Sequence, residues 1–497
     1  MGFTELIHII ANLPIQIIIF VLFLIGIIAY IGYSLSSKEP DLKSGLNHRQ
    51  IWGVLITTSL FIGISYLIYY FSQSMFLMLL AIFLTIVEII SIVYWFYDPS
   101  LYVLSEIKLL IERNFKSNGN QEDALKYNKF AIVICAYNEE QVLGNLLSAI
   151  NNLDYNKEYY DTYVVCDNCI DGTEEIVDSF DANKIIRHDK TKIGKGFALE
   201  YFFNSLKNDF NKEKYYDAYV VIDADNLLNQ EFLTKINSRL NNGEEVIQAY
   251  LGCKNPKGTW VSCSYSLAYW ITNDIFQKAH HNLNLSSQLG GTGMIIKRSI
   301  LEEIGLPGDS LTEDVLFTTK YVLKKNKPCT WSDEAEILDE KPLQLGNSIK
   351  QRTRWMQGHI NTCFKYFLPL IKNSVKYRSF RQFDAAFYLI KPIFNLFLFF
   401  GYIISISKTI FLPNLFTPLP EFASWEFLVI LLLFHLILYS FILVRAGKYK
   451  YILGIPLLLI YSLTFYIAIF KGLIKRNEHY WVKTEHSCAV DVDEKSF

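Results

Sequence analysis

Three short apolar runs in the middle of this chain end in carboxylates. Phe130 to Cys135 leads into Ala136-Tyr137-Asn138-Glu139-Glu140, Tyr163 to Cys166 into Asp167-Asn168-Cys169-Ile170-Asp171-Gly172-Thr173, and Tyr219 to Ile222 into Asp223-Ala224-Asp225-Asn226. Asp223 and Asp225 alternate at a strand terminus, so both carboxylates reach one hard cation, and Mg2+ or Mn2+ with a diphosphate is the natural occupant of such a pair. An isolated Asp-x-Asp is more often a turn or a cap. Three acidic strand ends converging on one rim argue for the site instead. Lys195, in Gly194-Lys195-Gly196 ahead of a helical stretch from Phe197 to Leu206, is a cation that can approach phosphate. The segment does not fit GxxxxGK[ST], which excludes a phosphate-loop nucleoside triphosphatase.

Further along, Gly290-Gly291-Thr292-Gly293 offers bare backbone for close approach, with an ordinary tight turn as the plain alternative. In Ser310-Leu311-Thr312-Glu313-Asp314, Ser310 and Glu313 fit a capping box for the helical pattern of Val315 to Leu323. Asp314 is not needed for that cap, which makes it the better catalytic candidate. Gln351, Arg354 and Trp355 stand at i, i+3 and i+4 and share a helix face. Arg pairs with diphosphate and Trp offers a flat surface to a sugar ring; the plain alternative is an amphipathic helix anchored at a bilayer.

The elements that must position these groups are α/β. Glu140 to Asn151 and Thr173 to Phe180 read as helices after the first two strands, and two successive βα units imply a parallel sheet whose ligands bind at the strand carboxyl ends. The eight cysteines lack the spacing of a secreted disulfide framework, and Cys166-x-x-Cys169 has no second pair or His to complete a zinc set. With a formal net charge of −2, no basic field points to nucleic acid.

Hydrophobic residues make up 51% of the chain against 19% charged, and the excess gathers at the two ends, a membrane pattern. Leu13 to Tyr33 reads as a first transmembrane helix, and Ile51 to Phe96 as two more with a turn at Phe71-Ser72-Gln73-Ser74. Lys38, Lys43 and Arg49 in the first loop place that loop, and the whole domain after Phe96, in the cytosol. Phe387 to Leu412, Trp425 to Val444 and Tyr451 to Ile474 are each long enough to span. Three crossings would leave the tail outside, whereas Lys475, Arg476 and Lys483 argue for cytosol, so either one segment lies in the interface or a further crossing exists. Arg381 to Lys391 reads as an amphipathic interfacial piece. The expected organisation is therefore membrane helices over 1–100, a cytosolic catalytic domain over 101–348, an interfacial region over 349–380 and membrane helices with a short tail over 381–497.

In this order the motifs resemble those of the membrane-integrated family 2 glycosyltransferases, the cellulose, chitin, hyaluronan and poly-N-acetylglucosamine synthases, across roughly residues 130 to 360. The resemblance implies a GT-A-like α/β catalytic domain between N- and C-terminal transmembrane helices of a multi-pass plasma-membrane protein. Tyr137, Glu139 and Asp167 would contact the donor nucleotide and Lys195 its phosphate. Asp225 would ligate Mg2+ or Mn2+, with Asp223 beside it on the metal-diphosphate group. Asp314 would be the general base, Gln351 and Arg354 would hold donor diphosphate, and Gly291, Thr292, Gly293, Glu313 and Trp355 would face the acceptor. A base without a protein nucleophile implies inversion. The implied activity is polymerisation and secretion of a β-linked polysaccharide from a UDP-sugar, UDP-glucose ahead of UDP-N-acetylglucosamine, with oligomers or accessory secretion proteins compatible with it. Gly291-Thr292-Gly293 lacks the Cys of the cellulose synthase pattern, which leaves the acceptor sugar open. The rival is transfer of one sugar to a membrane lipid, and a transporter or scaffold leaves the polar motifs unexplained.

Overall fold

The computed structural model describes residues 73–115, 126–209, 215–306, 308–411 and 425–478. The first two expected spans, the loop with Lys38, Lys43 and Arg49, and the tail with Lys483 lie outside these residues. The chain divides into two units, and everything that bears on the site belongs to the one formed by Ile90–Phe399 and Val429–Phe497.

That unit is built on an eight-stranded sheet of β1 (Phe130–Ala136), β2 (Tyr160–Asp167), β3 (Asn183–Arg187), β4 (Ala218–Asp223), β5 (Leu227–Leu228), β6 (Val246–Cys253), β7 (Met294–Lys297) and β8 (Thr330–Asp339), in the order β3-β2-β1-β4-β7-β6-β8-β5. β1 to β4 are parallel, with Ala136 opposite Cys166 and Cys135 opposite Asp223, so the three acidic termini do share one rim. The sheet is mixed rather than purely parallel. β7 runs antiparallel to both β4 and β6, because the Gly290–Gly293 turn sends the Met294-Ile295-Ile296 run back between them.

Helices cover both faces, so the central strands are continuous apolar runs without polar alternation. Phe130, Ile132 and Ile134 pack with Leu143, Leu146 and Leu147 on one face, while Ala131 and Val133 pack with Leu199, Phe202 and Phe317 on the other. Each such fully buried large side chain is worth about 1.5–3 kcal/mol. The mixed sheet, covered on both faces and carrying acidic strand ends, is the α/β architecture expected of the central domain.

Apolar helices follow the expected positions with shifted ends. One runs Gln73–Phe115, continuing through Pro99 well past the expected boundary at Phe96. After the domain come Leu345–Lys376, Phe380–Phe411, Trp425–Arg445 and Ile455–Ile474. Among the described residues, three helices are long and apolar enough to cross a membrane, Leu77–Glu112, Phe380–Lys408 and Tyr449–Ile474, and Val429–Arg445 is apolar but shorter. An Asp98–Lys391 ion pair at 2.6 Å joins the first of these to the second.

The helix Glu313–Lys325, which begins at the candidate base, packs against Leu345–Lys376 so closely that a Cβ on Gly358 would stand 2.3 Å from Thr312 Oγ1. Gly346, on the same helix, has open space around its missing side chain. Gly358→Ala is therefore expected to cost about 1–3 kcal/mol through overpacking, whereas Gly346→Ala should be neutral or stabilise by up to about 1 kcal/mol. Thermal unfolding of the two variants in detergent checks the contrast.

Candidate active site

The strand rim is shaped by asparagines. Asn138 and Asn168, the first turns beyond β1 and β2, adopt left-handed φ of 57° and 56°, which Asn tolerates better than most residues. Their side chains cross-link the loops, Asn138 Oδ1 accepting from Ile170 N at 2.8 Å and Asn168 Oδ1 from Asp189 N at 2.9 Å. Beside them Asp167 is buried and accepts from Arg187 Nη1 at 2.5 Å. Burial pushes the Asp167 carboxyl up, against the pull of Arg187. Arg187, at the end of β3, was not anticipated as part of the rim.

A cavity of about 690 Å3 opens over this rim. It is lined by Tyr137, Glu139, Asp167, Lys195, Asp223, Asp225, Gly291, Thr292, Glu313, Asp314, Gln351, Arg354 and Trp355, which is every sequence-predicted site residue except Gly293. Gly293 lies behind the wall, at φ 62°, where a Cβ would meet Ile337 Cδ1 at 2.9 Å. Cys166 lies in β2 and Cys169 in the loop after it, its Sγ donating to Ala136 O at 3.4 Å.

In the middle of the cavity Lys195 Nζ donates to Asp223 Oδ1 at 2.5 Å and to Gly291 O at 2.7 Å, so one ammonium ties the end of β4 to the glycine turn. Burial pulls this ammonium down, but Asp223 and Glu313 outweigh it and its pKa is pushed up to about 12. Thr292 is buried and serves the same junction. Its Oγ1 accepts from Asp223 N at 3.0 Å and donates to Asn226 Oδ1. Asp225 is also buried, held by Asn226 Nδ2 at 3.3 Å and by Glu340 N at 3.4 Å, while Lys254 donates to its carbonyl.

Glu340 brings in a stretch that the sequence reading passed over. β5 pairs with β8, so Asp339 and Lys341 at the end of β8 reach the cavity beside Asp225. Lys341 is fully buried, ion-paired to Asp339 at 2.6 Å and seated 3.2 Å from the centre of the Tyr269 ring. Burial, opposed by Lys341 and reinforced by Asp225 and Asp223, pushes the Asp339 carboxyl up to about 6. A weaker signal existed: apolar Ala335, Ile337 and Leu338, interrupted by Glu336, lead into Asp339-Glu340.

At the far side Thr312, and neither Ser310 nor a capping box, is the N-cap of Glu313–Lys325, and Glu313 is the first residue of the helix. Ser310 Oγ instead accepts from Thr312 N at 3.2 Å, and Glu313 is free of the expected cap and faces the cavity. Asp314 Oδ2 lies 3.6 Å from the point a Gly291 Cβ would occupy, and its Oδ1 accepts from Val315 N at 2.8 Å. Burial first and Glu313 second push the Asp314 carboxyl up to about 7, with the Val315 N–H and Lys195 holding it from going higher. Gln351 accepts from Tyr265 OH at 2.7 Å, and the Trp355 ring meets the edge of Tyr265 at 6.2 Å. Burial holds Arg354 below its ordinary pKa, while Glu313, Asp223 and Asp314 oppose that fall, and its buried Nε has no hydrogen-bond partner among the described residues.

Residues 128–358 match the family described as glycosyltransferase like family 2. Over that segment the chain is similar to the family 2 glycosyltransferases. The chain is 27% identical over 310 residues to a probable glycosyltransferase, YdaM, of Bacillus subtilis, a match covering 60% of this chain and 69% of that one. It is 24% identical over 265 residues to a β-monoglucosyldiacylglycerol synthase of Nostoc, covering 50% of this chain and spanning about half, 53%, of the synthase. Among solved structures it is similar to a mannosyltransferase of Pyrobaculum calidifontis, in complex with GDP-Man and Mn2+, at 16% identity and a TM-score of 0.49, covering 79% of this chain and 99% of that chain.

The raised Asp314 carboxyl has a consequence for stability. A carboxyl whose folded pKa lies above its unfolded value favours the folded state below the unfolded pKa, and that contribution is lost as pH rises through the folded pKa. Asp314 thus opposes folding at pH 8, and Asp314→Asn is expected to stabilise the protein there by roughly 2–4 kcal/mol. The gain should shrink from pH 7 down to pH 4, as thermal unfolding across that range would record; a constant offset would mean the carboxyl titrates normally.

Proposed function

We propose that the domain transfers a hexose, with inversion, from a nucleotide-sugar donor to a hydroxyl of an acceptor presented at the membrane. The observation that carries this reading is the placement of Asp314, a carboxylate raised to about 7, across one cavity from the Lys195–Asp223 pair. In this reading Tyr137, Glu139 and Asp167 hold the nucleoside at the rim. Arg354, with its unpaired buried Nε, takes the diphosphate, and Gln351 and Tyr265 fix the wall beside it. Gly291, Glu313 and Trp355 frame the acceptor hydroxyl, whose proton passes to Asp314 as its oxygen attacks the anomeric carbon. Attack opposite the departing diphosphate gives a β-linkage from an α-linked donor.

The residues present fit a divalent cation. No group of three or more His, Cys, Asp or Glu among the described residues is arranged to hold a metal by itself; a small hard cation commonly takes one or two carboxylates and completes its shell with phosphate oxygens and water. Asp225 and Asp223 would hold it, and when bound Mg2+ or Mn2+ would stabilise the charge growing on the diphosphate.

A lipid hydroxyl is the acceptor favoured here. The cavity is bounded by His359 and by Tyr388 of Phe380–Phe411, one of the helices apolar enough to cross a membrane, so the space that holds Asp314 is walled in part by an element fit to meet the bilayer. Two β-monoglucosyldiacylglycerol synthases, that of Nostoc and one of Trichormus variabilis, are each 24% identical to this chain over 265 residues. The second reading, extension of a β-glucan from UDP-glucose or a polymer from UDP-N-acetylglucosamine, draws on the Gln351, Arg354 and Trp355 face. Purified enzyme incubated with labelled donors and diacylglycerol separates the two. A discrete glycolipid is expected, and high polymer in its place would favour the second reading.

The base assignment makes its own prediction. Turnover should rise with pH through about 7 as Asp314 ionises, and Asp314→Asn should lower it by roughly a hundredfold to ten-thousandfold while leaving donor affinity nearly unchanged. Near-normal turnover with the same pH profile would remove Asp314 from the role.

A further inference from the structure

The helix Ile455–Ile474 presents a contradiction between its composition and its neighbours. By length and apolarity, Tyr449–Ile474 qualifies as a membrane span. Yet it rests on helices of the catalytic domain from one end to the other. At its start the Tyr451 ring lies 4.9 Å from Trp270, and Ile455, Leu458 and Tyr461 pack with Val261, Tyr265 and Trp270 of the helix Trp260–Thr272. Midway, Tyr461 OH meets Ser348 Oγ at 2.6 Å and Thr464 Oγ1 accepts from Arg352 Nη2 at 2.8 Å. At its end a Cβ on Gly472 would stand 2.7 Å from Met356 Cβ, and Lys475 O accepts from Gln357 Nε2 at 2.9 Å.

Twenty helical residues measure about 30 Å, the whole hydrocarbon depth of a bilayer. Were this helix a span, Arg352 and its neighbours Gln351 and Arg354, on a helix that carries no Asp or Glu, would be drawn to bilayer depth beside it. Ionisable side chains there are costly. The opposite side of the helix exposes Leu457, Ile460, Leu463, Ile467 and Ile474, an apolar stripe fit for lipid. Both ends carry cations, Lys448 and Lys450 before it and Lys471, Lys475 and Arg476 at its close. The positive-inside rule places two such ends on the same side of a membrane, which a single crossing cannot do.

We infer that Ile455–Ile474 lies in the plane of the bilayer surface, one face on the catalytic domain and the other among lipid headgroups and upper acyl chains. The domain is then followed by two crossings, Phe380–Phe411 and Trp425–Arg445, and Lys475 and Arg476 lie on the side of the catalytic domain. The conflict between three apolar segments and a cationic tail disappears. Through Ser348 and Arg352, the in-plane helix also holds the helix that presents Gln351, Arg354 and Trp355 next to the lipid.

Depth measurement tests this without reference to activity. Full-length protein carrying L457C, L463C or I474C is labelled with bimane, reconstituted in phosphatidylcholine–phosphatidylglycerol liposomes, and quenched by lipids brominated at graded acyl positions, with labelled wild type as background. In-plane placement predicts three depths that agree within about 5 Å, near the headgroup boundary. A label at 463 lying about 10 Å deeper than those at 457 and 474, as a crossing helix requires, would overturn the inference, and so would absence of quenching at all three.

Discussion

The ammonium of Lys195 is the one group on which the geometry of the cavity depends. It joins Asp223 at the end of β4 to the carbonyl of Gly291, and it rides at the first turn of the helix Lys195–Asp209, so three separate stretches of chain meet at one charge. Around it stand Asp223, Asp225, Glu313, Asp314 and Asp339, more negative charge than the lysine can balance. In a partly dry cavity like charges cannot all ionise at the ordinary carboxylate pKa. Burial first, and the neighbouring carboxylates after it, raise the Asp314 carboxyl to about 7 and the Asp339 carboxyl to about 6, the second restrained by its own lysine. Under the proposed function, so charged a site would favour a divalent cation and would suit a carboxylate that accepts a proton at neutral pH.

The fold supplies the rigidity this requires. Parallel β1, β2 and β4 deliver their ends to one rim, and β7, inserted antiparallel, carries the glycine turn back to Asp223. Small contacts then decide the rest. Gly358 admits Thr312 at the start of the Asp314 helix, and Gly293 admits Ile337 behind the turn. The helix that bears Arg354 and Trp355 is clamped on its other side by the Arg352 guanidinium, buried against the Tyr461 and Phe465 rings at 4.2 and 4.7 Å. Successive residues of one stretch thus serve both sides, Gln351, Arg354 and Trp355 the cavity and Arg352 the helix Ile455–Ile474.

Much of this was legible because buried strands write themselves as apolar runs and their chemistry follows at the ends. Asp167, Asp223 and Asp225 were found that way, and Gln351, Arg354 and Trp355 by helical spacing. Asp339 was not, because β8 carries Asp333, Glu334 and Glu336 within it and its pairing with β6 shifts register near Tyr250, which breaks the apolar run. Lys195 was placed in the site, but its pairing with Asp223, 28 residues on, depends on how a helix start faces a strand end. The capping box failed for a local reason: the chain enters the helix at Thr312, two residues later than the Ser310 motif suggests. Hydropathy marked Ile455–Ile474 as apolar, but it registers composition alone and is blind to the partners on either face.

The balance of burial and charge around Asp314 can be read from its titration, by difference infrared spectroscopy of wild type against Asp314→Asn across pH 4 to 10. The carboxyl band should disappear near pH 7 in the wild type, and in Lys195→Met, where the nearest cation is gone, at a pH higher still. A band that vanishes near pH 4 in both proteins would contradict the account.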